Sequence, residues 1–216
     1  MLLYSDLYLA EEMDMEIKKI SGTALVAGST STLAILVGAA PALAGEPYIG
    51  FSVGAIGGEH PGPGDSDSED YELTGAAIAI HAGVNQQIND TLWAGVELSY
   101  QTNVEGDKNS GSSYEYGYDI QRNIDAKLRV GTTLGDIRVY GFGGVSAGAM
   151  QHTFYSGADY RYQGVNIGAG AEMELFPNIT VGAEVINRQT WGTIDGDGND
   201  YRASHSAISL RTSFQF

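Results

Sequence analysis

The chain has 216 residues and is strongly acidic, with 27 Asp and Glu against 11 Lys and Arg and a formal net charge of −16. This charge argues against a nucleic-acid partner, because phosphate binding requires clustered basic side chains. The absence of cysteine excludes disulfides and thiol chemistry, and the 30 glycines and 13 tyrosines suit sheets with tight turns and interfacial aromatics.

The first 44 residues have the features of a secretory leader. Lys18 and Lys19 precede the weakly polar to apolar stretch 23–40, and an Ala-Leu-Ala sequence ends at Ala44. The serines and threonines in that stretch make it too polar for a good membrane-spanning helix. We therefore predict an N-terminal extension and a cleaved signal peptide over residues 1–44, followed by one domain over residues 45–216.

Three methionines are candidate start codons: Met1, Met13 and Met15. Residues 1–14 carry acids and no base ahead of the positive region, which is unusual for a signal peptide. This pattern favours a start at Met13 or Met15.

Eight segments after residue 48 alternate apolar and polar residues with the period of two that is typical of strands. The fourth is the clearest, because Tyr118, Ile120 and Ile124 share their parity with the aliphatic residues up to Val130. The fifth is ambiguous, since Tyr140 and Phe142 oppose its aliphatic residues. The aliphatic faces of the eight segments begin at Ile49, Ala76, Leu92, Tyr118, Ile137, Val165, Ile179 and Ile208.

The connections between these segments alternate in length. Three are tight, and they cover residues 86–90, 133–136 and 176–178. Four are long and polar, and they cover residues 57–72, 102–115, 153–159 and 189–202. Short turns at one end and long loops at the other are typical of a transmembrane barrel, and the strands are long enough to cross a bilayer at a tilt.

The polar faces of the strands combine glycines with charges of both signs, which suits the crowded interior of a narrow barrel. A soluble lipocalin-like barrel, with its apolar face inward, is the alternative. We predict an all-β fold, an eight-stranded antiparallel up-and-down transmembrane β-barrel with charges paired in its lumen. The lumen charges are Glu97, Asp119, Asp125, Lys127, Arg129, Glu172, Glu184, Arg188 and Arg211.

The last strand, residues 209–216, alternates and ends on an aromatic, with Phe214 and Phe216 as its final apolar residues. It resembles the signal that is recognised by the outer-membrane barrel assembly machinery, although Arg211 stands where many examples have glycine. The chain from residue 46 resembles the small outer-membrane β-barrel superfamily, which includes outer-membrane proteins A and X and the opacity proteins. The resemblance implies that the protein is located in the outer membrane of a Gram-negative bacterium.

Two acidic segments are candidate cation sites. Asp195, Asp197, Asn199 and Asp200 alternate with glycine as in a calcium loop, but Ser206 stands where an EF-hand needs an acid. The acids of the first long connection favour a solvated loop over a built metal site; they are Asp65, Asp67, Glu69, Asp70 and Glu72. The sequence implies no cofactor apart from a divalent cation at these loops.

Arg122 and Arg161 have the parity of the lipid-facing side chains, near the outer ends of their strands. A charge in that position is inexpensive at the interface and costly at the midplane. Two interpretations stay open: contact with lipopolysaccharide phosphates, or snorkelling into water without a specific lipid.

Catalysis needs a base and a nucleophile placed together. His205 and Ser206 come nearest, but adjacent residues of a strand face opposite ways and cannot form a dyad. We therefore expect that the protein is not an enzyme.

The sequence favours a monomeric structural and surface-interaction protein that contributes to envelope integrity, adhesion or defence. Its expected partners are outer-membrane lipid, lipopolysaccharide, the assembly machinery and a host or cell-surface ligand at the loops. A narrow porin-like channel is the alternative, and a lipid A-modifying enzyme is a third hypothesis.

Overall fold

A computed structural model describes residues 45–60, 71–103, 118–152, 159–194 and 200–216. These residues form eight strands: β1 (Glu46–His60), β2 (Tyr71–Gln87), β3 (Leu92–Asn103), β4 (Tyr118–Leu134), β5 (Ile137–His152), β6 (Asp159–Phe176), β7 (Ile179–Ile194) and β8 (Asp200–Gln215). Each strand pairs with its sequence neighbours in antiparallel register, and β1 pairs with β8, so the sheet is a closed up-and-down barrel. The predicted fold class is confirmed.

The signal peptide predicted over residues 1–44 lies outside the described residues. In the part of the chain that is described, no helix is long and apolar enough to cross a membrane.

The strands place their aliphatic side chains outside and their polar side chains inside. Phe51 and Leu210 are 54% and 67% exposed on the outer surface, whereas Glu97 and Arg129 are buried in the lumen. Water would make this inverted arrangement unfavourable, but lipid stabilises it. Because the barrel is closed, its strands leave no unpaired edge, as a bilayer requires.

The three described turns lie at one end of the barrel, which we call the turn end. In the β2–β3 turn, the Asn89 Oδ1 accepts hydrogen bonds from the backbone N–H groups of Thr91 and Leu92, at 3.0 and 2.9 Å. Gly135 and Asn178 adopt positive φ angles of 63° and 67° in the β4–β5 and β6–β7 turns. The opposite end, where the four longer connections join the strands, is called the loop end.

The predicted connection over residues 189–202 is too long, because β7 continues to Ile194 and β8 begins at Asp200. Apart from Trp191, the described outward side chains in this region are polar, so hydropathy does not reveal their alternation. Asn187 Nδ2 donates a hydrogen bond to Ser206 Oγ at 2.9 Å, and Gln189 Nε2 donates to Ser204 Oγ at 2.8 Å. These bonds link the two strands along their outer face.

The predicted outward parity of Ile120 is wrong. The β4–β5 register shifts between Ile120 and Arg122, where Gln121 forms a bulge. An extra residue in one strand reverses the parity beyond it. Ile120 is therefore buried inside the barrel, at 1% exposure.

The ambiguity of β5 is resolved by the glycines of its neighbour. Tyr140 and Phe142 point inward, directly opposite Gly170 and Gly168 of β6. A Cβ at either glycine would overlap the opposing aromatic ring. Tyr48 over Gly83 and Trp93 over Gly131 repeat the arrangement. Small and large residues thus alternate around the narrow lumen, as its cross-section requires.

Candidate functional site

The centre of the lumen is an ion-pair cluster around Glu97 and Glu184, two carboxylates from β3 and β7. Lys127 Nζ lies 3.1 Å from Glu97 Oε1 and 2.5 Å from Glu184 Oε1. Arg211 also pairs with both carboxylates, and Arg129 Nη1 lies 3.5 Å from Glu97 Oε2. Each charge is therefore compensated by at least one opposite charge, which a buried site requires.

Arg129 extends this cluster toward the turn end. Its Nη2 lies 3.0 Å from Glu172 Oε2, and its Nη1 donates a hydrogen bond to the Tyr48 hydroxyl at 2.6 Å. That hydroxyl in turn donates to Glu97 at 2.8 Å. The guanidinium carbon lies 4.0 Å from the centre of the Tyr140 ring, within the range of a cation–π contact.

A second cluster lies nearer the loop end and is centred on Asp125. Arg188 donates two hydrogen bonds to its carboxylate, from Nε at 3.0 Å and from Nη2 at 2.7 Å. Ser99, Asn123 and Ser146 donate to the same carboxylate at 3.2, 2.8 and 2.6 Å. The bidentate geometry and the three neutral donors fix the carboxylate in place.

The structure brings eight of the nine expected lumen charges together, as four carboxylates and four basic side chains. The ninth, Asp119, lies in β4, but its side chain is outside the described residues. The sequence analysis missed the neutral members of the clusters, such as Tyr48, Tyr140 and Ser146. The signal that could have identified them is their inward parity, which they share with the charged residues of the lumen.

Apolar and aromatic side chains fill the lumen beyond the Asp125 cluster. Ile120, Met150 and Tyr160 are buried there, and the Tyr160 and Tyr162 rings stack at 5.8 Å. At the turn end, Trp93 is buried. The polar core encloses a cavity of about 30 Å³, which has room for about two water molecules. Within the described barrel, these side chains leave no space for a solute-sized path.

Two described histidines have a serine neighbour, His205 in the sequence and His81 in space. His205 is buried inside, whereas Ser206 is exposed outside, so they do not form a dyad. His81 lies 2.9 Å from Ser213 Oγ, but both are buried in the lumen, where a lipid or protein substrate has no access. This pair links β2 to β8 in the interior of the barrel.

Among the described residues, no group of three or more His, Asp and Glu side chains could hold a metal ion. Of the predicted cation ligands, Asp195, Asp197 and Asn199 lie outside the described residues. Asp200 begins β8, and its side chain is also outside them. The acids 65–70 of the first connection are likewise outside the description, as is the side chain of Glu72.

Arg122 and Arg161 are exposed on the outer face near the loop end. Both lie directly opposite Ala149 of β5 in the register, one on each side of it.

An exterior of exposed aliphatic side chains around a charged interior is stable in lipid, so the molecule is a transmembrane β-barrel of the outer-membrane type. Residues 30–216 match the family described as outer membrane protein beta-barrel domain, and the chain belongs to that family.

Solved structures of small outer-membrane proteins resemble this fold. Neisserial surface protein A shares 16% identity with a TM-score of 0.52, covering 79% of this chain and 97% of its own. Ail, the attachment invasion locus protein of Yersinia pestis, shares 12% identity with a TM-score of 0.46, covering 79% of this chain and 99% of its own. The outer membrane protease OmpT of Escherichia coli shares 10% identity with a TM-score of 0.43, covering 79% and 97%. No curated protein matches the sequence.

Proposed function

We propose that the protein is a non-conducting, monomeric barrel of the outer membrane of a Gram-negative bacterium that presents acidic segments at the cell surface. In this role it contributes to envelope integrity, adhesion or defence. The observation that carries the proposal is the closed lumen, in which ion pairs and aromatic side chains fill the interior.

The connections at the loop end supply the surface chemistry. Their undescribed residues, 61–70, 104–117, 153–158 and 195–199, contain nine acids and one base, Lys108. Such a charge attracts cations and basic surfaces and repels other anionic ones. A host or cell-surface ligand with a basic patch is the partner that this chemistry favours, and divalent cations are the ions it would attract.

The two alternatives fit the described residues less well. A narrow porin-like channel would need the central ion pairs to separate, and each separated charge would be buried without a partner at a cost of several kcal/mol, on the order of the desolvation penalty. A lipid A-modifying enzyme would need a base and a nucleophile at the level of the lipid headgroups. His205, which lies toward that end, points into the barrel, and the side chains of His60 and His152 are outside the described residues.

Single-channel recording tests the closed lumen. Residues 45–216 are refolded in detergent, and the wild type is compared with Arg188→Ala in planar bilayers, with Arg138→Ala as the control at the turn-end rim. We expect no conductance steps for the wild type or the control. Wild-type steps that persist at high purity and change size in Arg188→Ala would favour the channel and overturn the proposal.

Trypsin treatment of intact cells tests the surface assignment. Lys108 is the single base in the four undescribed connections, so we expect cleavage after it in intact cells and none in a Lys108→Gln variant. Cleavage confined to permeabilised cells would place the loop end on the other side of the membrane and contradict the proposal.

A further inference from the structure

The mouth of the lumen at the turn end is an open cavity, which we call the turn-end cavity. Its volume is about 470 Å³, which is typical of sites for small ligands. Five consecutive strands, β4 to β8, form its wall. The inward polar side chains of that wall are Thr133, Arg138, Glu172, Glu174, Thr180 and Gln215. In the described barrel, the ion pairs and aromatic side chains of the lumen close the cavity from below.

The basic side chain of the cavity wall, Arg138, is already paired with a carboxylate on the other side of the mouth. Its Nη2 lies 3.2 Å from Glu46 Oε2. Strands β5 and β1, which carry the two residues, are four strands apart in either direction round the barrel. The ion pair therefore spans the mouth, and Arg138 does not compensate the acids at the rim of the cavity.

Two acids come next to each other at this rim. The β5–β6 register pairs Ile137 with Met173, so Asp136 and Glu174 are the residues that follow along the two neighbouring strands. Like charges in such positions destabilise each other. Both acids line the cavity and are exposed, and neither forms an ion pair with a base of the described barrel. The rim therefore carries two uncompensated negative charges.

A buried hydroxyl group of the same wall supplies a second, independent observation. Thr180 lies directly opposite Glu174 in the β6–β7 register. Its side chain is 5% exposed and lines the cavity, and its hydroxyl has no hydrogen-bond partner among the described residues. Buried polar groups are normally satisfied, so this hydroxyl requires a partner from inside the cavity.

The chemistry of these groups favours an organic cation over a metal ion. The three carboxylates that line the cavity do not form a group that could hold a metal ion. An ammonium group has three donors, so it can bond to a carboxylate and to a hydroxyl oxygen at the same time. Methylene groups can cover the apolar surface of the wall, which comes from Leu175, Phe176 and Pro177.

We propose that the turn-end cavity binds a linear diamine or polyamine. One ammonium group donates hydrogen bonds to Glu174 and Thr180, and another donates to Asp136, so that two positive charges compensate the two acids of the rim. The short turns of outer-membrane barrels face the periplasm, so the ligand comes from that compartment. The site goes beyond the proposed function and does not depend on it, because it lies at the end opposite to the long connections.

Isothermal titration calorimetry of the folded protein in an uncharged detergent tests the site independently of membrane orientation and of conductance. The protein is titrated with putrescine, with butylamine and with Mg²⁺, at a salt concentration that screens general attraction to an acidic surface. Butylamine has the carbon chain of putrescine with one ammonium group removed, and Mg²⁺ has the charge of putrescine without the chain. We expect saturable binding of putrescine, and binding weaker by about tenfold or more for the other two, since each charge-assisted hydrogen bond contributes about that factor.

The variants are Asp136→Asn, Glu174→Gln and Thr180→Val, and the matched control is Asp90→Asn, which removes an exposed charge from another turn at the same end. We expect the first three to bind putrescine about tenfold more weakly and the control to bind as the wild type. Heat-modifiable migration on gels verifies that each variant is folded. Three results would overturn the proposal: no saturable binding of putrescine, equal weakening by Asp90→Asn, which would show general attraction to acids, or Mg²⁺ binding as tight as that of putrescine.

Discussion

Glu97 on β3 and Arg211 on β8 form an ion pair across the lumen, although 114 positions separate them in the sequence. Both side chains are buried, so each charge is stabilised by the other, and Lys127 forms a second ion pair with Glu97. Strands β3 and β8 are separated in the sheet by β1 and β2, and the closure of β1 on β8 brings the two residues to opposite walls of one narrow lumen. The charge network therefore depends on barrel closure.

Replacement of Glu97 by Gln is expected to destabilise the barrel by about 3–5 kcal/mol, because it leaves an excess of buried positive charge around Lys127, Arg129 and Arg211. Urea unfolding in lipid vesicles, followed by the difference in gel migration between folded and unfolded chains, measures the free energy of unfolding. The control is Glu46→Gln, which removes an exposed pair with Arg138 at the rim. That change should cost less than about 1 kcal/mol. Equal stability of Glu97→Gln and the wild type would contradict the stabilising role of the network.

The glycines of β5 and β6 give a second prediction, since Gly168 points inward under Phe142 and Gly141 points toward open space. Gly168→Val should prevent correct packing of the lumen and lower the yield of folded, heat-modifiable protein in detergent. Gly141→Val should fold at least as well as the wild type, because valine suits a strand that faces lipid and the nearest protein atom to its Cβ is 3.8 Å away. Similar yields for both variants would disprove the packing argument.

Much of the fold could be predicted from the sequence because one physical rule operates on every strand. Apolar residues face the lipid and polar residues face the packed lumen, so the two kinds alternate along each strand with a period of two. The chemistry of Leu128 and Arg129 alone therefore assigns them to opposite faces of β4. The same parity identified most of the lumen charges. Their individual partners could not be predicted, because residues such as Asp125 and Arg188 meet through the shear and closure of the barrel, which parity does not specify.

The exceptions arose where side-chain chemistry did not indicate the face. Ile120 lies beyond a bulge that hydropathy does not reveal, and Tyr140 lies inside because its neighbour is a glycine. The part of β7 nearest the loop end was not predicted as a strand, because Asn187 and Gln189 are polar and face outward. A segment with polar residues on both faces resembles a loop. Each case required knowledge of the adjacent strand, which a single segment of sequence lacks.

The β6–β7 turn yields a prediction about backbone conformation. Asn178 has a φ of 67°, a region that asparagine tolerates, glycine enters freely and β-branched residues avoid. We expect Asn178→Gly to leave the free energy of unfolding within about 0.5 kcal/mol of the wild type and Asn178→Val to lower it by about 1–2 kcal/mol. The same urea titration in vesicles measures both, and a valine variant as stable as the glycine variant would rule out strain at this position.

The end of the chain provides a prediction about assembly in the cell. Phe216 is 71% exposed, and its ring stacks on Phe214 with centroids 6.4 Å apart. Its backbone N–H donates to the carbonyl of Pro47 at 3.1 Å, a bond that any residue except proline can make. Phe216→Ala should therefore refold in detergent as the wild type does.

In cells, the same variant should reach the outer membrane at a level several-fold lower, because the terminal aromatic resembles the signal read by the assembly machinery. The control is Phe176→Ala, which removes an equally large exposed ring near the same end of the barrel without changing the chain terminus. Immunoblots of outer-membrane fractions compare the two variants with the wild type. Normal membrane levels of Phe216→Ala would show that this ring is not read during assembly, and equal loss in both variants would assign the effect to lost lipid contact at this end instead.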